Sequence, residues 1–289
     1  MIWGLSFVFQ KEGMEHIETF TFNGIRMLIG SLSLLPVLLI RRKRKSPDAL
    51  PASKKQKKKK LVGILIVGLL ICISTNLQQM AFNYLPPGKI GFITALYMLF
   101  VPILNFLIFK KKASLNVWAG VVLGIAGLYL LCSGTGFDFK FGAGEIMVLI
   151  CAVIFAFHII AIDYFASDID SVELSFGQFF VTGIISCVLM FLFEKPDIHS
   201  ISNAAVPLLY AGIMSCGVAF TFQIVGQKYT EPTIASMLLC TESVFSVLFA
   251  FLILHQKLTT FEYIGCGIMF AAIILAQIPV GKNRNKSLS

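Results

Sequence analysis

Apolar residues in this chain neither alternate nor keep to one helical stripe. They run on in stretches of about twenty, the length that crosses roughly 30 Å of hydrocarbon at about 1.5 Å per residue. The pattern predicts spans at residues 20–40, 61–82, 90–109, 115–132, 144–163, 172–193, 204–226, 234–254 and 261–278. One further run, residues 1–9, is too short to cross, and it lacks both the charged start and the small-residue cleavage site of a signal peptide. It predicts a first helix whose beginning lies upstream of Met1. With it, the expected fold is an all-α polytopic membrane protein of ten transmembrane helices, the first of them N-terminally truncated.

The stretch from Tyr84 to Lys112 returns in degraded form as Tyr229 to Lys257. One constant step carries Tyr84 onto Tyr229, Pro87 onto Pro232, Phe100 onto Phe245 and Lys112 onto Lys257, and beyond the stretch Gln78 onto Gln223 and Gly120 onto Gly265. A self-similar unit at so large a spacing is a duplicated half, and in an apolar chain it marks a transporter-type repeat. Five spans per half is an odd number, so the second half must enter the membrane upside down. The halves are expected at residues 1–133 and 142–280, with a tail at 281–289. On the fifth span, Gly120, Gly124 and Gly127 form a small-residue face that lets a neighbouring helix come close.

Composition agrees: of 289 residues, 57% are hydrophobic and only 13% charged, with a mean hydropathy of +0.84. Soluble domains run nearer to about 25% charged. The net charge of +9 would suggest nucleic acid in a soluble protein, but here it is a topology signal. Its clusters are the loop 41–60, Lys110 to Lys112, and Lys282, Arg284 and Lys286, and such clusters stay on the cytoplasmic side. Both termini are then cytoplasmic, with Lys11, Lys89, Lys140, Lys195 and Lys257 outside. Asp163, Asp168, Asp170 and Glu173 fall on the cytoplasmic side although acidic; acidic residues count for little in this rule. The loop 41–60 reads as a flexible connection, and its other reading is contact with anionic lipid of the bilayer, favoured over nucleic acid because it abuts two spans. The seven Cys, with no CxxC pair, read as small packing residues.

Trp3-Gly4, Phe22 and Arg26, the run from Leu77 to Leu104, WAGVVLGIAGLYLL from Trp118, and PTIASMLLCTESV from Pro232 together resemble the EamA-type permeases of the drug/metabolite transporter superfamily. The resemblance covers essentially the whole chain. It implies two inverted five-helix EamA repeats around a central cavity, alternating access, and export or uptake of small metabolites, often amino acids or related compounds, across the bacterial cytoplasmic membrane. The chain departs from the family pattern at Glu242-Ser243, where Glu-Pro is frequent, and at His255-Gln256, where Gly-Glu is frequent.

Polar side chains at membrane depth are costly unless they face the bundle interior or water, so they are the candidates for function. Glu242 lies near the middle of span nine, and the repeat step places it opposite Tyr97 in span four. It can bind a cationic group or take up a proton; its structural alternative is a bond to a neighbouring Ser or Thr. Thr94, Tyr97 and Asn105 share a helical stripe suited to a cavity wall or to interhelical hydrogen bonds. His158 is either a proton relay or a histidine satisfied by a backbone carbonyl. Asn76, Gln78 and Gln79 near one end of span three, and Gln223 and Gln227 near the other end of span eight, either gate the two mouths or hold interfaces. Arg26 and Gln178 occupy matching places in spans two and seven; Arg26 is expected to snorkel or pair with a loop carboxylate, its alternative being a role at the substrate.

No nucleotide-binding GxxxxGK[ST] loop occurs, and no cofactor or metal is expected. The first reading is a secondary transporter of a small molecule, with export favoured because no partner protein is needed for it. A membrane sensor or scaffold is the alternative. An intramembrane enzyme is a weaker one, since no HExxH, GxSxG or paired-Asp motif occurs. Substrate, coupling ion and oligomeric state, a homo-oligomer included, are not encoded in these features.

Overall fold

The computed structural model describes residues 1–43, 53–133, 142–245 and 259–278. The middle of the basic loop, the connection between the halves, the later part of span nine with His255-Gln256, and the basic tail lie outside the described residues. The first half comprises α1 (Ile2–Gly13), α2 (Thr19–Lys43), α3 (Lys54–Ala81), α4 (Pro87–Ala95) with α5 (Tyr97–Phe109), and α6 (Leu115–Ser133). The second has α7 (Ala143–Ala166), α8 (Ser171–Phe193) and a short α9 (Ile198–Asn203). It continues with α10 (Ala205–Leu209), a π-helical stretch (Tyr210–Phe220), α11 (Thr221–Gln227), α12 (Pro232–Leu239) and α13 (Thr260–Gln277). No strand occurs among the described residues.

Among the described residues seven helical spans are long and apolar enough to cross a bilayer, and Leu115–Leu130 and Pro232–Phe245 are shorter apolar helices. Together with α1, whose 12 residues rise about 18 Å, they fill the ten expected places. Two boundaries differ from expectation. Helix α1 continues through Lys11 to Gly13 instead of ending at Phe9. Residues 54–60, read as part of a flexible loop, are the first turns of α3, because Ser53 and Gln56 form a reciprocal capping box that satisfies otherwise orphaned backbone donors.

Contacts at the helix ends give each span a direction. At one end of the bundle Arg41 meets Asp170 at 3.1 Å, Lys59 meets Asp168 at 2.6 Å, and Lys60 pairs with Glu173. Thus the exit of α2, the entry of α3, the exit of α7 and the entry of α8 share that end. At the opposite end Glu194, after α8, accepts from the Phe20 and Thr21 amides at 2.7 Å each. There too Lys89 at the start of α4 pairs with Glu145 at the start of α7 at 2.5 Å, and Lys11 at the close of α1 donates to the Phe82 carbonyl at 3.2 Å. Spans one and six, and likewise two and seven, therefore run in opposite senses. The same holds for three and eight, since Lys228 beyond α11 reaches the Ile169 carbonyl at 3.3 Å. The halves are inverted, as an odd number of spans requires.

The acidic connection after α7 also has its physical reason. Its carboxylates neutralise the basic flanks of α2 and α3, and the hydrogen bond from Lys59 holds the Asp168 carboxyl below the usual carboxylate range.

The most extensive helix contacts join the halves: α6 to α13, α2 to α8 and α3 to α7, with α3 against α8 answered by α2 against the π-helical stretch. Glycines permit these approaches. A Cβ on Gly127 of α6 would stand 2.9 Å from the Met269 backbone nitrogen in α13, and one on Gly212 would stand 2.6 Å from Ile29 Cγ2 and 2.9 Å from the Arg26 carbonyl.

Candidate functional site

A half-open cavity lies where the two halves meet, its polar groups set among aromatic and aliphatic side chains. Most spans that line it do so with residues one or two turns apart, and span two does so with Arg26 alone. From α1 come Trp3, Phe7 and Gln10, from α3 Thr75 and Gln78, and from α7 Phe155 and Ile159. Spans four and nine contribute Thr94 with Tyr97 and Leu239 with Glu242.

Much of the wall obeys the repeat. The constant step that carries Tyr84 onto Tyr229 also carries Gln10 onto Phe155, Thr75 onto Phe220, Gln78 onto Gln223, Thr94 onto Leu239 and Tyr97 onto Glu242, and every one of these residues lines the cavity. Both middle spans are interrupted beside it, at Leu96 (ψ −10°) and at Cys240 (ψ −14°). The interruptions touch: the Cys240 thiol donates to the Ala95 carbonyl at 3.4 Å.

The π-helical stretch is a feature without a sequence signal. Its i→i+5 bonding brings positions five apart onto one face, and Ser215 and Phe220 are five apart and both line the cavity. A 3.6-residue period would have turned one of them away.

Of the residues singled out from sequence, Glu242, Tyr97, Thr94, Gln78 and Gln223 share this cavity. Gln78 donates to the Thr94 hydroxyl at 3.0 Å, and Gln223 donates to Gln227, which donates on to the Ile159 carbonyl, both at 3.1 Å.

His158 is elsewhere: fully buried, it pairs through Nε2 with Gln178 Oε1 at 2.9 Å, a side-chain partner in span seven instead of a backbone carbonyl. Asn76 is also away from the cavity wall. It donates to the Cys72 carbonyl at 2.8 Å and to Ser186 at 3.0 Å, and accepts from Asn23 at 3.0 Å, fastening spans two, three and seven.

Arg26 departs from expectation. It neither snorkels nor meets a loop carboxylate: 3% exposed, it lines the cavity with its guanidinium 5.4 Å from the Phe22 ring centre. Trp3 Nε1, Gln10 Oε1, Arg26 Nε and Gln223 Oε1 are buried polar atoms with no hydrogen-bond partner among the described residues. All four belong to cavity residues. Trp3, Phe7, Gln10, Ser215 and Phe220 were not read as site residues from the sequence. For α1 the signal was present as the spacing of Trp3, Phe7 and Gln10 on one helical stripe.

Among the described residues no group of three or more His, Cys, Asp or Glu could hold a metal ion. The described residues of the wall offer one carboxylate, one guanidinium, a phenol, amides and hydroxyls set among aromatic faces. That set suits non-covalent recognition of a small polar or zwitterionic solute.

Comparison with known proteins agrees with this architecture. A crystal structure of another protein shares the fold with a TM-score of 0.73 over 96% of this chain and 95% of that one, at 19% identity. An uncharacterized transporter of Archaeoglobus fulgidus is 27% identical over 97% of this chain and 83% of its own length. The uncharacterized transporter YoaV of Bacillus subtilis is 24% identical over 93% of this chain and 92% of its own. The uncharacterized inner membrane transporter YedA of Escherichia coli K12 is 21% identical over 96% and 88%. The profile of the EamA-like transporter family matches residues 1–133 and 142–277. The chain is a multi-pass membrane transporter, and it belongs to the EamA-like transporter family.

Proposed function

We propose that this transporter is a secondary carrier that exports a small metabolite, an amino acid or related compound, across the bacterial cytoplasmic membrane by alternating exposure of the central cavity. The observation that carries the reading is the shared wall: inverted halves supply equivalent positions to one mid-membrane cavity, so rocking of the halves can exchange its two mouths around a fixed site. Energy would come from a gradient or from the substrate itself, because the chain encodes no nucleotide-binding loop. The end carrying Arg41, Lys59 and Lys60 faces the cytoplasm by the positive-inside rule, and both termini lie on that side. The basic segment there meets anionic lipid.

Glu242 and Tyr97 form the centre of the site, with Gln78, Thr94 and Gln223 completing its polar surface. Accumulation of labelled amino acids in inside-out vesicles tests the reading. Glu242→Gln is expected to lower flux by about 100-fold at normal expression, the scale for truncating a buried charged contact. Wild-type flux in that variant removes Glu242 from the site, and no accumulation of any solute in the native protein ends the carrier reading.

A further inference from the structure

Among the described residues no anion answers the buried cation of Arg26. Counted from Thr19 it lies about 10 Å inside α2 at 1.5 Å per residue, its side chain is 3% exposed, and it faces the cavity. Among the described residues no ion pair joins it to any carboxylate, Glu242 included, and its Nε has no hydrogen-bond partner. Its protein contact of note is the Phe22 ring one turn back on the same helix.

A buried charge without a counter-charge is expensive, and such residues face functional pathways. Arg26 also has no counterpart among the cavity residues related by the repeat step, so duplication of the halves does not account for it. Snorkelling is excluded by its burial, and structural pairing by the absence of a partner among the described residues. What remains is an anion supplied from the cavity.

We infer that Arg26 is the docking point for a carboxylate of the transported molecule. The guanidinium presents its donors as a planar fork that matches the two oxygens of a carboxylate. Among the described lining residues Arg26 is the one cation and Glu242 the one carboxylate. A dianionic phosphate would face one positive charge and one negative, whereas a zwitterion satisfies both, its carboxylate on Arg26 and its ammonium towards Glu242. The body of the molecule would rest on Trp3, Phe155 and Phe220, so the cargo class is α-amino acids with uncharged side chains. This rests on the reading of the cavity as the transport site, and it adds the residue that selects the cargo's charge.

Thermal melting of the purified full chain tests it, with each uncharged-side-chain L-amino acid measured beside its carboxamide, which keeps the ammonium and removes the anion. At least one acid is expected to raise the melting temperature by several degrees while its amide does not, because a ligand bound only to the folded state stabilises it. Arg26→Lys should weaken that acid by about 10-fold and Arg26→Met by about 100-fold. Without ligand, Arg26→Met should melt no lower than the native chain, since it removes an uncompensated charge. The inference is overturned if no acid shifts the native protein, if an amide shifts it equally, if Arg26→Met keeps the response, or if Arg26→Met melts lower without ligand. Binding and transport separate cleanly. Arg26-dependent binding without vesicle flux ends the carrier reading and leaves Arg26 as a carboxylate-binding residue of the cavity, while native flux in Arg26→Met keeps the carrier reading and overturns the docking role.

Discussion

The Asn23–Asn76–Ser186 cluster and the cavity wall both bury polar side chains among apolar helices, and their bonding differs. In the first, Asn76 donates twice and accepts once, and Asn23 also reaches the Thr75 carbonyl at 3.0 Å. The one side-chain polar atom without a partner there is Asn23 Oδ1. The cavity wall keeps a guanidinium, an indole and two amides with unpartnered atoms. A polar group whose bonds close within the protein holds helices together; one whose bonds are left open at a cavity is available to a solute. Sequence position alone does not separate the two cases, since Asn76 and Gln78 are two residues apart on one helix.

Substitutions can break or sharpen that contrast. The largest effect falls on the open side: Glu242→Gln should remove nearly all vesicle flux with little change in melting temperature. On the closed side Asn76→Leu should do the opposite. It loses two interhelical side-chain bonds, together about 1 kcal/mol at roughly 0.6 kcal/mol per bond in membranes, which lowers the melting temperature by a few degrees, while flux per folded molecule stays native. An Asn76→Leu protein that melts normally but fails to transport would erase the distinction.

His158→Gln should act less, because an amide can still bond Gln178 across spans six and seven. Its flux should keep the native pH profile from about pH 5 to 8, the range in which an unperturbed histidine changes charge; a flattened profile would move His158 into the transport path. Asp168→Asn should have the smallest effect. The native carboxyl is held low by Lys59, so the stability it adds is present near neutral pH and lost as pH falls through its lowered titration range. The pair is exposed, at 44% and 46% for the two side chains, so the melting difference should be about a degree or less, shrink with salt, and vanish in acid.

Span placement and the pairing of Tyr97 with Glu242 were legible because duplication leaves a constant step that needs no coordinates to read. That step also reached Gln78 and Gln223. Snorkelling was favoured for Arg26 over a cavity role for a physical reason: whether a mid-helix arginine turns to a loop, to lipid or to a cavity depends on the rotation of α2 against its neighbours, and the buried Thr21, Asn23 and Ser31 of the same helix do not say which neighbour encloses a cavity. The partners of His158 and Asn76 were hidden because Gln178, Asn23 and Ser186 sit on other spans. Ser215 and Phe220 escaped because their shared face exists only where the helix widens, and nothing in YAGIMSCGVAF announces that.

The touching interruptions at Leu96 and Cys240 have a mechanical consequence. Each middle span is two short rods meeting at a pivot, and the pivots are tied to each other by the thiol of Cys240 on the carbonyl of Ala95. Under the proposed carrier reading a rod on one side swings while its continuation stays seated, which loosens the molecule near one surface of the bilayer without unsealing the other.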